Sequence, residues 1–334
     1  MAFDSLSEYI HTLESVGKLH RVKAEVDTNL EIAEIMRRKM YSGESPAILF
    51  ENIKGYDIPI LGNAFGTMDL LKIALNLSDF REIGKRITDL TKLKIPSNLF
   101  DKLKMLPKLS ELGDYAPKYV ESGAVTEIIE SEKANLNSLP ILKSFPNDAG
   151  KFITFGLTIT KHPETGIRNI GVYRIQIVND QKAIMHWQTH KRGAQHYELM
   201  KEYSKPIETA IVIGTDPSTI FSGIAPVPEG MDKFFFSGIV RKKGVKLVKC
   251  KTVDLEVPAN SEIVLEGYVD PNEMRIEGPF GDHTGFYTPP EPYPTFNLTC
   301  LMRRKNPIYL TTVVGKPILE DAYIGKVIEQ SFLP

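Results

Sequence analysis

The chain has 334 residues, too many for one small core, and its 42% hydrophobic and 25% charged side chains are the balance of a soluble globular protein of two domains. Lys and Arg number 41 against 42 Asp and Glu, so net charge requires neither nucleic acid nor an anionic membrane as partner. No run of about 18 apolar residues is present, and the polar start Met1-Ala-Phe-Asp-Ser5 lacks a signal-peptide core, which points to the cytoplasm. Cys250 and Cys300 are too few for a disulfide framework or a zinc site, and both read as small buried apolar residues.

Leu6, Tyr9, Ile10, Leu13 and Val16 share one helical face over residues 5–16, and residues 30–40 repeat the pattern. Apolar strands at 47–50 and 58–61, with helical patterns near 70–77 and 81–93, complete a small α/β domain. It gathers no catalytic residue types, and His11 and His20 read as surface or helix-end residues. Residues 95–117 are Lys-rich and broken by Pro96, Pro107 and Pro117, a linker or wrapping segment without the aromatic ladder of a nucleic-acid site.

From Phe152 the pattern becomes β. Strands are expected at 152–160, 169–178 and 183–187, with His162-Pro-Glu-Thr-Gly166 as a turn, then at 210–213, 245–249, 263–267, 298–302 and 308–312. Few helices interrupt them, at 194–203, 217–222 and 231–237, so a closed or nearly closed barrel follows. A last helical pattern begins near Asp321. The expected division is 1–115, an N-terminal α/β domain with linker; 116–318, a barrel; and 319–334, the start of a connecting helix.

Glu277-Gly-Pro-Phe-Gly-Asp-His-Thr-Gly285 is a Gly/Pro loop in which neither helix nor strand fits. Its two carboxylates either face water in an ordinary turn or work as an acid and a base with separated pKa values. Arg174 shares a strand face with Ile170 and Val172, where a guanidinium serves either a structural ion pair or a substrate carboxylate. Asn169 with His186 or His190 could share a divalent cation of the Mn/Mg type, and Lys191-Arg192-Gly193 suits a phosphate. Asn169 and Arg174, five apart, fall on opposite faces of a regular strand, so a bulge or a turn must intervene if both serve one ligand. Nucleotide and hydrolase signatures such as Gly-x-Gly-x-x-Gly, the Walker loop and Gly-x-Ser-x-Gly are absent.

Together, Asn169-Ile-Gly-Val-Tyr-Arg174, Thr189-His-Lys-Arg-Gly-Ala194, Val257-Pro-Ala-Asn-Ser-Glu-Ile-Val-Leu-Glu-Gly267 and the Glu277–Gly285 loop resemble the UbiD family of prenylated-FMN-dependent decarboxylases. The resemblance implies an α+β protein: a small N-terminal α/β domain plus a split β-barrel of the flavin-reductase type. It implies Arg174, Glu277 and Asp282 as the catalytic group, with Asp282 the proton donor and Arg174 and Glu277 orienting the substrate carboxylate. Asn169 and His190 match two Mn2+ ligands beside the cofactor phosphate, K+ being a further ion. The segments Val172-Tyr173-Arg174, His186-Trp187-Gln188 and Lys191-Arg192 match positions that line the cofactor. A proton-donating Asp needs a raised pKa, and Phe280, Phe286 and Tyr287 are the residues expected to dry its pocket.

Two departures stand out. Lys233 occupies the position of the third metal ligand, and an ammonium cannot ligate a cation, so Lys233 is expected to contact the phosphate itself, with Asp232 or Glu229 as substitute ligands. The family's C-terminal third is also missing. The implied reaction is non-oxidative, reversible decarboxylation of an aromatic or α,β-unsaturated acid, such as a polyprenyl-hydroxybenzoate or an isoprenoid precursor acid. The implied partners are a flavin prenyltransferase that supplies cofactor and either further copies of the chain or a C-terminal-domain polypeptide. The alternative is a flavin-binding or assembly subunit without turnover of its own.

Overall fold

In the computed structural model, which describes residues 2–43, 45–91, 110, 112–187, 192–203, 205–227 and 230–332, the first helix forms where the apolar spacing places it. Ser5 Oγ accepts from the Glu8 N–H at 3.2 Å and caps α1 (Leu6–Ser15), which buries Leu6, Tyr9, Ile10 and Leu13. Val16 falls past its end and is exposed. The next strand, β1 (Leu19–Val26), was not expected, because Val26 alone is buried and the rest is a charged, largely exposed edge. Arg21 on β1 pairs with Glu14 and Glu51, which fixes the edge from both sides.

A right-handed crossover is the usual way to join parallel strands, and here α2 (Glu31–Tyr41) connects β1 to its parallel neighbour β2 (Ala47–Ile53). β3 (Ile60–Gly62) runs antiparallel to β2, and α3 (Met68–Leu75) and α4 (Arg81–Thr91) follow. The Lys-rich 95–109 stretch lies outside the described residues. After it come β4 (Lys118–Tyr119) and β5 (Ile128–Glu130).

The expected strands 152–160 and 169–178 are each broken in two: β6 (Phe152–Ile153) and β7 (Gly156–Lys161), then β8 (Arg168–Val172) and β9 (Ile175–Ile177). They still pair as one hairpin, β7 with β8 and β6 with β9, around the expected 162–166 turn, where Gly166 has φ +68. With β10 (Lys182–Met185), β11 (Ile207–Ile213), β14 (Ile263–Glu277) and β17 (Glu291–Arg303), the order is β6-β9-β10-β17-β14-β11-β7-β8. The two ends of that path are the two halves of a single hairpin, so the sheet curls back on itself. At the corner Thr154 Oγ1 donates to Thr312 O at 2.5 Å, which draws the backbone out of the ladder between β6 and β7.

Helices cover the barrel's end: α5 (Arg192–Glu202), α6 (Pro217–Ile224) and α7 (Lys233–Arg241). Asp216 caps α6 with Pro217 at its first position, and Asp232 caps α7. β12 (Lys246–Lys249) and β13 (Glu256–Pro258) form a small sheet with β4. The strand expected over 308–312 is only β18 (Tyr309–Leu310), and it joins the N-terminal sheet parallel to β3. The last helix, α8 (Glu320–Phe332), starts one residue earlier than expected. One apolar cluster joins Tyr9, Leu71 and Phe80 to Phe155, Phe221 and Phe236; the other joins Ile32, Met36 and Phe50 to Met185, Leu265 and Phe296. The N-terminal region is therefore built onto the barrel from two sides.

Candidate active site

The break between β8 and β9 falls at Tyr173–Arg174, so Arg174 leaves the side-chain alternation of its strand. That break answers the question of faces: Asn169 lies inside β8, and Arg174 sits at the corner. The Arg174 side chain is 9% exposed and ties itself to two acids. Its Nε donates to Glu277 Oε1 at 2.7 Å and its Nη2 to Glu277 Oε2 at 3.0 Å, a bidentate fork. Nη1 donates to Asp282 Oδ2 at 3.0 Å, and Nη2 also reaches Thr288 Oγ1 at 3.0 Å. The ring of Phe280 lies 4.7 Å beneath the guanidinium.

The Gly/Pro stretch that carries the acids has more regular structure than the sequence suggests. Glu277 is the last residue of β14, paired with Glu291. The next turn forms a small hairpin, β15 (Phe280–Gly281) against β16 (Tyr287–Thr288). Gly278 has φ +92, a conformation glycine permits, and the Gly278–Pro279 bond is cis. Three contacts hold the turn to the rest of the protein. Gly278 N–H donates to Gln176 Oε1 at 2.8 Å, Ala149 N–H to Pro279 O at 2.9 Å, and Gly281 N–H to Asp148 Oδ1 at 2.8 Å. Asp148 also accepts from the Ser144 and Phe145 N–H groups, and its burial still raises its pKa.

The two acids are held as carboxylates. Burial acts to raise Glu277, but hydrogen bonds from His186 and Arg174 outweigh it and leave its pKa below the usual range. Burial likewise acts to raise Asp282, yet the His283 side chain and N–H and the charge of Arg174 prevail and lower it. This corrects the expectation of a raised Asp282. Of the three aromatic residues assigned to dry its pocket, Phe286 is 77% exposed and Tyr287 is exposed; Phe280 is buried, but under Arg174.

A cavity of about 390 Å³ lies beside the Tyr173 corner, lined by residues 169–173, 223–227 and Lys233. Asn169, Val172, Tyr173 and Lys233 thus line one cavity together with residues 223–227, which the sequence did not single out. Asn169 is buried, and its Nδ2 has no hydrogen-bond partner among the described residues. Lys233 is buried and donates to Ile170 O at 2.6 Å and Gly223 O at 2.9 Å. Asp232, expected as a substitute metal ligand, is committed to capping α7 and to Arg168 at 2.8 Å. Among the described residues no group of three or more His, Cys, Asp or Glu could hold a metal ion. Gln188, His190 and Lys191 lie outside the described residues, as does Glu229, and only the backbone of Arg192 is described. Trp187 packs inward against Tyr173 and Tyr197, with ring centroids at 6.4 and 5.6 Å. His186 sits on Glu277, away from this cavity.

A second cavity, about 370 Å³, is lined by Asp282, Tyr287, Phe145, Arg37, Tyr41 and Lys316 among others. Tyr173, next in sequence to Arg174, lines the first cavity, and Asp282, bound to Arg174, lines the second. The thiols are elsewhere: Cys300 is buried, and burial pushes both Cys300 and Cys250 upward, away from reactivity. No described helix is long and apolar enough to cross a membrane.

A split barrel with an N-terminal α/β unit and a buried Arg–Glu–Asp cluster defines an α+β class of barrel proteins, and comparison with known proteins gives the family. Residues 118–317 match the 3-octaprenyl-4-hydroxybenzoate carboxy-lyase Rift-related domain and residues 10–87 the corresponding N-terminal domain, so the chain belongs to the UbiD family of decarboxylases. An uncharacterized protein of Archaeoglobus fulgidus is 48% identical over 335 residues, covering 100% of this chain and 69% of that protein. One from Aquifex aeolicus is 47% identical over 335 residues, with 99% and 69% covered. Among solved structures, an evolved dimeric form of the UbiD-class enzyme HmfF from Pelotomaculum thermopropionicum in complex with prFMN has a TM-score of 0.85 at 28% identity, covering 98% of this chain and 71% of that one. The closed form of Sedimentibacter hydroxybenzoicus vanillic acid decarboxylase has a TM-score of 0.84 at 27% identity, with 97% and 67% covered.

Proposed function

We propose that this chain carries out non-oxidative, reversible decarboxylation of an aromatic or α,β-unsaturated carboxylic acid with prenylated FMN. The observation that carries the reading is the buried Arg174 fork on Glu277, with Asp282 on its remaining side at the lining of a cavity. Asn169, Val172, Tyr173 and Lys233 would hold the flavin, whose modified ring supplies the electron sink that carboxylate loss requires. The Lys233 ammonium, already in the cavity wall, would offset the cofactor phosphate's charge.

Arg174 uses four N–H groups in the contacts above and has five in all, so one remains for a substrate carboxylate. Glu277 keeps the guanidinium aimed. A substrate anion on Arg174 competes with Asp282 for the same charge, and an Asp282 freed from Arg174 in a desolvated pocket gains affinity for a proton. That proton is the one Asp282 would hand to the carbon that loses CO2. The second cavity, with Phe145, Tyr287 and Tyr41, would receive the acid's unsaturated body. A flavin prenyltransferase would supply the cofactor, and further copies of the chain or a C-terminal-domain polypeptide would complete the assembly.

The experiment is CO2 release from a panel of unsaturated and aromatic acids after co-expression with a flavin prenyltransferase, with and without an added C-terminal domain. Asp282→Asn is expected to lower turnover at least about a hundredfold, the scale of a lost general acid, while flavin absorbance is retained. Unchanged turnover would remove Asp282 from the chemistry. A second reading, a flavin-binding subunit without turnover, is favoured by the lowered pKa of Asp282, which His283 and Arg174 bring about. It predicts bound flavin and no CO2 release with any acid.

A further inference from the structure

We propose that His186 is a positioning residue that fixes Glu277 as a carboxylate and, through it, the aim of Arg174; the kinetic part of this inference rests on the decarboxylase reading. His186 directly follows β10, and its backbone N–H donates to Arg174 O at 3.2 Å, so the two residues share one stretch of backbone. Its ring Nδ1 lies 3.3 Å from Glu277 Oε2. The Glu277 side chain is 0% exposed, and a buried carboxylate persists only when several donors face it. Arg174 supplies two of them, one to each oxygen, and the imidazole supplies the third.

The direction of that third hydrogen bond follows from chemistry. An ionised carboxylate accepts and cannot donate, so Nδ1 must carry the proton, and the bond chooses the ring tautomer. The ring is kept in place by Tyr293, whose centroid is 4.3 Å away at an interplanar angle of 43°, and Tyr293 in turn donates to Glu291 Oε2 at 3.1 Å. The charged and titratable groups around Glu277 are thus Arg174 from the β8–β9 corner, His186 from the end of β10, and Tyr293 and Glu291 from β17. Without His186, Glu277 loses a donor that favours its charged form, and a neutral Glu277 would hold Arg174 through fewer and weaker contacts.

The test has two arms. Nitrogen-15 NMR of the histidine-labelled protein, assigned with a His186→Leu control, is expected to show a proton on His186 Nδ1 at pH 7; an Nδ1 without a proton overturns the proposal whether or not the protein turns over. In the flavin-loaded protein, His186→Leu is expected to lower kcat/KM about ten- to hundredfold, the effect of losing a hydrogen bond to a charged group, and to move the acidic limb of the pH profile to higher pH. His186→Asn, which keeps an N–H near the Nδ1 position, is expected to recover most of the rate and the original limb. An unmoved acidic limb in His186→Leu, or equal losses in the two variants with flavin released, overturns the positioning role. Absence of turnover in the parent protein would sink the decarboxylase reading and leave the NMR arm to decide this one.

Discussion

Arg174 answers to two acids at once, and their low pKa values set a pH dependence with a definite sign. The folded values of Glu277 and Asp282 lie below those of unfolded chains, about 4, so the stability they add is present above that pH and is lost as pH falls through the folded values. Arg174→Met removes the shared partner. It is expected to cost about 3–5 kcal/mol at pH 7, the scale of orphaning a buried charge, and to recover stability as pH falls toward 4 and Glu277 takes up a proton. Urea unfolding at several pH values reads both; a variant as stable as its parent at pH 7 would refute the pair's importance. The cluster was legible because a fork-shaped cation and two acids in a Gly/Pro stretch carry a recognisable chemistry. The state of Asp282 was not, because a string of letters shows Phe286 and Tyr287 nearby but not that both are exposed while the His283 ring bonds Asp282. Gln176 and Thr288 were equally silent, each meeting its partner across more than a hundred residues.

The hairpin that carries Asp282 is held as an element by residues outside it. Asp148 accepts three backbone N–H groups, from Ser144, Phe145 and Gly281, and no other described side chain receives the Gly281 N–H. Asp148→Ala is expected to cost about 2 kcal/mol, since it leaves buried donors unsatisfied, and to lower turnover with Asp282 intact. Thermal unfolding together with CO2 release checks this; full activity would show that the hairpin keeps its place without Asp148. Helices were legible, since α1, α6 and α7 each join an apolar face to a side-chain cap, and α2 has the apolar face alone. Strands were read at half their detail. β14 and β17 run far past the apolar cores that revealed them, because their outer halves form an exposed ribbon bearing Met274 and Ile276. β1 escaped notice for the opposite reason, having almost no buried face.

At the scale of the molecule, Glu320 fastens the last helix to the N-terminal region, its Oε1 accepting from the Phe65 N–H at 2.6 Å. Burial raises its pKa to about 7, against hydrogen bonds from Thr312 and the Phe65 N–H that act to lower it. The folded value lies above the unfolded one, so the folded protein holds a proton that the unfolded chain releases, and stability falls as pH rises from about 4.5 to 7. Glu320→Gln is expected to flatten that slope and to stabilise the protein at pH 8 by up to about 3 kcal/mol, read from denaturant midpoints. A slope unchanged by the substitution would clear Glu320 of the effect. The barrel was foreseeable from many short strands with few helices. The way it closes was not, because that depends on the two breaks at 154–155 and 173–174, which no residue type announces.

Those breaks have a further consequence. The point at which the hairpin passes from one wall of the barrel to the other is also the point at which Arg174 turns toward the acids. The seam of the scaffold and the cation of the site are a single feature, so neither can drift on its own. A lineage that reshaped the seam would misplace the guanidinium, and one that gave up the chemistry would still inherit a corner shaped to present it.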